Sequence, residues 1–349
     1  MRYPPEAPRK RFAETGAGYH ARVARRGGWR RLGRRRFRYG NAAGTPIRDE
    51  DHLERIRDLA IPPAWQEVWI SPNPGARIQA TGVDAAGRTQ YRYHASYRAA
   101  QEKAKFERLL DFAKALPALR TATRRHLRGE PYEHEWTCAL AVGLVNKGWF
   151  RVGSDRHARR SRTYGITTLT KRHASVDGDE VQFRFRTKNR ALVRRTIRSA
   201  PLARGVADLL ELPGGSRLFR YERDGEVYAL TSAQLNDYLG EHMGDEFTAK
   251  DFRTWGGTLL AATELARRGP ATNESEAKRT LTAVMRVVGK ELGNTPAVAR
   301  SSYVSPAVVD AFLAGRTLVD FRGSNGRAPR RNLTLDERAL VSLLRAESR

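Results

Sequence analysis

Val181-Gln182-Phe183-Arg184-Phe185-Arg186-Thr187-Lys188-Asn189-Arg190 alternates apolar and polar side chains over its first six positions. That is the period of a half-buried strand, with Val181, Phe183 and Phe185 inward. The preceding Asp177-Gly178-Asp179 is a turn signal that joins this strand to a shorter one at 173–176, and 163–169 reads as a third strand. Around this sheet the chain reads as helix. Glu133 to Asn146 buries Trp136, Leu140, Leu144 and Val145, and later helices announce their starts with Thr248/Asp251, Asn273/Glu276, Ser305 before Pro306, and Thr334/Glu337. The C-terminal part is therefore mainly α with a small antiparallel sheet.

Toward the N-terminus the pattern changes. Leu53, Ile56, Leu59 and Ile61 have near-helical spacing that ends at Pro62-Pro63, and Glu67 to Ile70 reads as a strand. Arg77 to Thr81 and Thr89 to His94 flank Asp84-Ala85-Ala86-Gly87 as a hairpin. On its second strand Gln90, Arg92 and His94 face one way, Tyr91 and Tyr93 the other. Such a ribbon suits a major groove, although either tyrosine taken alone reads first as a packing residue. A charged helix from about Ser96 to Leu116, stopped by Pro117, links the two parts. The fold class expected is α+β, in three segments. They are a basic, flexible arm at 1–40, a β-rich N-terminal domain at 41–100 and a mainly α domain at 101–349.

Composition narrows the partner. Among 349 residues, 64 Lys+Arg against 38 Asp+Glu leave a formal charge of +26. That excess points to a polyanion: nucleic acid is the natural candidate, because phosphate contacts release condensed counterions, and a membrane surface is the alternative. No apolar run is long enough for a transmembrane helix, and MRYPPEAPRKRF lacks the apolar core of a secretory signal, so a cytoplasmic, nucleoid-associated protein is expected. The lone Cys138 reads as a packed residue, the eight histidines form no ligand pair, and Gly289-Lys290-Glu291 lacks the hydroxyl of a phosphate loop. No cofactor, metal or small-molecule substrate is expected.

Phosphodiester transfer by side chains alone requires a nucleophile, cations around the phosphoryl oxygens and an acid for the departing oxygen. Arg151, in Trp149-Phe150-Arg151-Val152-Gly153, can offer a planar fork to two oxygens, though alone it reads as one surface arginine among many. Lys188 lies at a strand end or hairpin tip, where it can reach into a cleft as a proton donor or stand as an ordinary turn lysine. Lys250 and Arg253 share a face of a helix's first two turns, a place that disfavours cations unless an anion docks there. Asn294 and Tyr303 lie between the helix that ends at Gly293 and the one that starts after Ser305. In isolation Asn294 reads as a helix cap and Tyr303 as a packing residue.

The joint pattern resembles the type IB topoisomerases, in the compact poxvirus-like form found in bacteria, over nearly the whole chain from about Gly40. In the first domain the likeness rests on Ile61-Pro62-Pro63-Ala64-Trp65, Ile78-Gln79-Ala80-Thr81-Gly82 and Gly87-Arg88-Thr89-Gln90-Tyr91-Arg92-Tyr93-His94. In the second it rests on Phe150-Arg151-Val152-Gly153, Arg160-Ser161-Arg162-Thr163-Tyr164-Gly165, Phe185-Arg186-Thr187-Lys188, Lys250-Asp251-Phe252-Arg253-Thr254, and Gly293-Asn294-Thr295-Pro296 followed by Tyr303.

The resemblance implies that Tyr303 attacks a backbone phosphate and joins the DNA 3′ end, without ATP or metal. It implies that Arg151 and Arg253 stabilise the pentavalent transition state and that Lys188 protonates the leaving 5′ oxygen. Asn294 stands where the poxvirus enzymes have histidine, so its amide N–H is expected to donate to a non-bridging oxygen without carrying charge. Thr187 replaces the glycine usual before the lysine. Gln90, Tyr91, Tyr93 and Lys250 match DNA-contacting or active-site positions, and a monomer suits the chemistry. A tyrosine recombinase shares these catalytic roles, but usually has histidine where Lys250 stands and a helical first domain. A non-enzymatic basic DNA binder needs only the charge.

Overall fold

The computed structural model describes residues 27–33, 36–85, 87–323 and 332–347. Residues 1–26 of the expected arm, with Arg34 and Arg35, lie outside the described residues. The chain divides into two compact units, one ending at Lys105 and the other beginning at Phe106.

In the first unit β1 (Trp29–Leu32), β2 (Arg38–Gly40), β3 (Gln66–Ile70), β4 (Ile78–Val83) and β5 (Thr89–Tyr93) form one antiparallel sheet in the order β2-β1-β3-β4-β5. Helix α1 (Glu50–Asp58) starts at Asp49, whose carboxylate accepts from the His52 N–H at 2.9 Å. Its Ile56 joins Trp29, Val68, Ile70 and Ala80 in a small core.

This corrects the flexible arm over residues 29–33 and 36–40, because Trp29 is buried and pairs across to Ile70. One large indole outweighs the run of arginines beside it, and one of those arginines is itself tied down. Arg31 donates to the Pro62 and Pro63 carbonyls at 3.0 and 3.2 Å and lies 4.1 Å from the Phe37 ring centre. Gln79 proves to be a strut, accepting from Arg55 at 2.6 Å and donating to the Pro74 and Ala76 carbonyls at 2.8 and 2.6 Å. The β4–β5 hairpin turns at Asp84 to Gly87, where Gly87 has φ +71° and its N–H donates to the Asp84 carbonyl at 2.8 Å.

Helix α2 (Ala95–His126) does not stop at Pro117 but runs through it. Leu109, Phe112, Ala113, Leu116 and Leu119 are all buried on one face, so packing on both sides of the proline offsets its cost of about 3 kcal/mol. Helix α3 (His134–Gly148) buries Trp136, Leu140, Leu144 and Val145, and also Cys138, whose thiol burial pushes up. A short α4 (Asp155–Ser161) follows.

The small sheet consists of β6 (Ala174–Asp177), β7 (Glu180–Arg186) and β8 (Leu192–Arg198), antiparallel in that order. The strand expected at 163–169 is instead a buried loop with a 3-10 turn at Ile166–Thr168, pinned by the Thr168 hydroxyl against the Gly165 backbone. The third strand is β8. Its outward Leu192 is 45% exposed, and its inward Arg195 pairs with Glu291, which together hide the period.

Helix α5 (Ala200–Glu211) is followed by β9 (Arg220–Arg223) and β10 (Glu226–Ala229), a second hairpin with no clear alternation in the sequence. Helices α6 (Ser232–Met243), α7 (Asp251–Arg268), α8 (Glu274–Leu292), α9 (Pro296–Tyr303), α10 (Pro306–Leu313) and α11 (Leu335–Glu347) complete the unit. Asn273 and Thr334 cap as the sequence predicts, accepting from the Glu276 and Glu337 N–H groups, whereas Thr248 is not the cap of α7: that position falls to Lys250, and Thr248 instead donates to the Asp251 carboxylate. No helix among the described residues is long and apolar enough to cross a membrane.

Glu337 also anchors α11 to the rest of the core. Arg120 donates to both of its carboxylate oxygens, at 2.7 and 2.8 Å, and the Trp255 indole donates to one at 3.3 Å. Burial alone would raise the Glu337 carboxyl, but Arg120 outweighs burial and holds it below the usual range. A carboxyl depressed in the folded state adds stability above its unfolded value of about 4.3 and loses it as pH falls through the folded value. Glu337→Ala is therefore expected to cost about 3 kcal/mol at pH 7. The gap between wild type and variant in a denaturant melt should narrow below about pH 4.

Candidate active site

The site is assembled by the carboxyl ends of two helices and the body of a third. Helix α3 ends at Trp149, which adopts left-handed φ 52°, ψ 39° and turns the chain so that Phe150 enters the core and Arg151 follows half-buried. Helix α8 ends at Gly293, with φ +62°, and the Asn294 N–H reaches back to the Gly289 carbonyl at 2.8 Å. Both ends leave carbonyls without partners in their own helices. Arg253, on α7, donates to the Trp149 carbonyl at 2.8 Å and to the Leu292 carbonyl at 2.7 Å. Its side chain is thus not the solvated charge that its place near a helix start suggests, for Arg253 is only 4% exposed. A buried guanidinium is tolerated because the acceptors are helix C-terminal carbonyls, which carry partial negative charge.

The segment between α8 and α10 is not a plain connection. It contains α9, which begins with Thr295 capping the Val298 N–H and with Pro296 in the first turn, and whose last residue is Tyr303. The end of α9 presses on α7 at Gly257, where an added Cβ would come within 2.9 Å of the Tyr303 carbonyl. Thr258 donates to that carbonyl at 3.0 Å and accepts from the Ser305 N–H at 3.1 Å, fixing both sides of the tyrosine. Arg253 and Gly257 stand four residues apart on one face of α7, so that face carries both the cation and the seat of the tyrosine. The Arg253 guanidinium carbon lies 4.9 Å from the Tyr303 ring centre.

The electrostatics follow from this packing. Burial by itself pushes the Tyr303 phenol up, but Arg253 by charge and hydrogen bond, with Arg151 and Lys250 by charge, pull it below its ordinary value. Burial lowers the Arg151 guanidinium to about 10, and Arg253 adds to that while Tyr303 opposes it. Both arginines remain cations at neutral pH, so a half-buried phenol faces concentrated positive charge. Such a group is chemically suited to act as a nucleophile.

Thus Arg151, Arg253, Asn294 and Tyr303 are brought together. Arg151 donates to Asn294 Oδ1 at 2.8 Å and to Thr187 Oγ1 at 3.1 Å. Lys188, next to Thr187 at the tip between β7 and β8, sits in a 3-10 turn with its side chain exposed. Lys250 directly precedes α7 and is exposed. The sequence alone did not single out Thr258 or Gly257, whose only signal was their position one turn past Arg253.

In the first unit Tyr91 and Tyr93 share a face, as the strand period predicts, and their rings stack at 5.9 Å. Tyr97 extends the row at 5.3 Å from Tyr93, with Arg77 5.2 Å over its ring. Gln90 is turned toward the hairpin's own turn, donating to Asp84 at 2.8 Å.

Comparison with known proteins bears on both units. Residues 94–311 match the family model for the catalytic core of eukaryotic DNA topoisomerase I. Residues 36–84 match that for the N-terminal domain of bacterial DNA topoisomerase IB. The chain is also 35% identical over 268 residues to the DNA topoisomerase 1B of Acanthamoeba polyphaga mimivirus, covering 74% of this chain and 80% of that protein.

Proposed function

We propose, for a chain that belongs to the type IB DNA topoisomerase family, that it relaxes supercoiled DNA by cutting one strand, letting it rotate and resealing it. The observation that carries this reading is the Tyr303 phenol held against Arg253 and drawn below its ordinary pKa by three cations.

In the cleavage step the Tyr303 oxygen attacks a backbone phosphorus, the P–O5′ bond breaks, and the 3′ end becomes a phosphotyrosyl ester. The phenolic proton passes to solvent water as the oxygen attacks, and Lys188 gives its own proton to the departing 5′ oxygen, to be reprotonated as the strand is resealed. Arg151 and Arg253 face the non-bridging oxygens as charge builds on them, in a site whose cations are already fixed by protein contacts. Lys250 adds charge at the mouth. The ester retains the energy of the phosphodiester, so reversal reseals the strand with neither ATP nor metal. Torque in the DNA drives the rotation between the two steps.

The first unit serves as a DNA-binding domain in this reading. Gln90, Tyr91 and Tyr93 meet the duplex, where the tyrosine row offers hydroxyls and flat faces to sugar and phosphate. The protein acts as a monomer on double-stranded DNA in the cytoplasm, at the nucleoid. The formal charge of +26 supplies the sequence-independent part of the affinity, which falls steeply with salt.

The test is direct. Purified full-length protein should convert supercoiled plasmid to a ladder of relaxed topoisomers with EDTA present and ATP absent. Relaxation that requires magnesium or ATP, or none at all, contradicts the proposal.

A further inference from the structure

Arg151 leaves α3 on an irregular segment, so its own backbone does little to aim it. Its direction is set instead by acceptors from two distant parts of the chain. Nη1 donates to the Thr187 hydroxyl at 3.1 Å, while Nη2 donates to Asn294 Oδ1 at 2.8 Å and to the Gly293 carbonyl at 3.3 Å. A guanidinium can only donate, so the Asn294 atom facing it must be the oxygen. The amide nitrogen then faces the Leu292 carbonyl, at 3.4 Å.

The Thr187 side chain is 2% exposed, and its N–H donates to the Ala191 carbonyl at 2.9 Å, so this hydroxyl is a fixed post at the base of the hairpin tip. Gly293 supplies the left-handed turn that brings Asn294 to the other side of the fork. With both ends of the planar fork held, the remaining N–H groups of Arg151 can point only one way.

We propose that Asn294 and Thr187 are positioning residues that act through Arg151, with Asn294 serving as a hydrogen-bond acceptor for the arginine rather than as a donor to the phosphate. This rests on the reading of Arg151 as a transition-state cation. It also gives the hairpin a second task, since the residue that pins Arg151 is the neighbour of Lys188. The two cations are thereby set in register by one short segment, and asparagine at 294 is preferable to a protonated ring because a cation there could not accept from Arg151. Pre-organised donors are effective because they need no rearrangement as charge develops.

A double-mutant cycle decides the matter. Adduct formation on plasmid under enzyme excess, quenched with SDS, is followed for the full-length wild type, Arg151→Ala, Asn294→Ala, Thr187→Val and the two double variants. Arg151→Ala should slow the reaction by about 10²-fold or more. Asn294→Ala and Thr187→Val should each slow the wild type by about tenfold or more, the size typical of a lost hydrogen bond to a charged group.

In the Arg151→Ala background each should slow it by less than about twofold, because the residue through which they act is gone. Thr187→Ser, which keeps the hydroxyl, should retain the wild-type rate, and gel-shift affinity for DNA should stay unchanged in the Asn294 and Thr187 single variants. If Asn294→Ala and Thr187→Val slow the Arg151→Ala protein by the same factors as the wild type, the proposal is overturned, since direct action on phosphate and general damage to the fold both persist without Arg151. If Arg151→Ala leaves the rate unchanged, it is the reading of the active site that fails.

Discussion

Tyr303→Phe is expected to abolish plasmid relaxation, with a fall of about 10⁴-fold or more in adduct formation, while leaving DNA affinity and fold intact. The ring is half-buried against the core of the second unit, and phenylalanine preserves that packing. Arg253 keeps its acceptors in the variant, because its Nη1 and Nη2 already donate to the Trp149 and Leu292 carbonyls. The stability change should therefore stay within about 1 kcal/mol. What disappears is the oxygen that, in the proposed mechanism, forms the ester. A topoisomer ladder and a gel shift run side by side measure both halves of the expectation. A protein that merely binds DNA through its basic surface would behave identically with either residue.

Arg253→Ala should have the next largest effect, and through two routes. Removing a pre-organised donor from the transition state should slow cleavage by about 10²- to 10³-fold. The Trp149 and Leu292 carbonyls would also lose their partner in the interior, at a cost of about 2–3 kcal/mol in stability. The pH dependence separates these. Arg253 is the largest influence drawing the Tyr303 phenol down, so without it the phenol should climb, and the rise of rate with pH should move to higher pH than in the wild type. A slowed variant with an unshifted pH profile would mean that Arg253 supports only the fold.

Much of this site could be read from the chain, and the exceptions share a cause. The strand at Glu180–Arg186 was legible because its inward residues are apolar and its outward ones polar, which also placed Lys188 at a tip. The neighbouring Leu192–Arg198 was not, because its inward Arg195 is satisfied by Glu291, 96 residues away. Pro117 marked a helix end by local rules, yet burial on both sides carries the helix through it. Trp29 was lost among arginines, one of which folds back on the Pro62 and Pro63 carbonyls. The burial of Arg253 was hidden for the same reason, since its acceptors belong to helices that end 104 and 39 residues away in sequence. Local pattern reports what a residue prefers on average. A polar residue whose partner is remote escapes it, and an active site is built from such residues.

The central claim concerns one oxygen atom, and trapping its ester tests it most directly. Wild-type protein incubated with radiolabelled plasmid and quenched with SDS should carry covalently bound DNA, and after nuclease and trypsin treatment the nucleotide should be found on the peptide spanning residues 301–316, esterified to Tyr303. Label on any other residue, or no adduct from protein that relaxes the plasmid, would contradict the account.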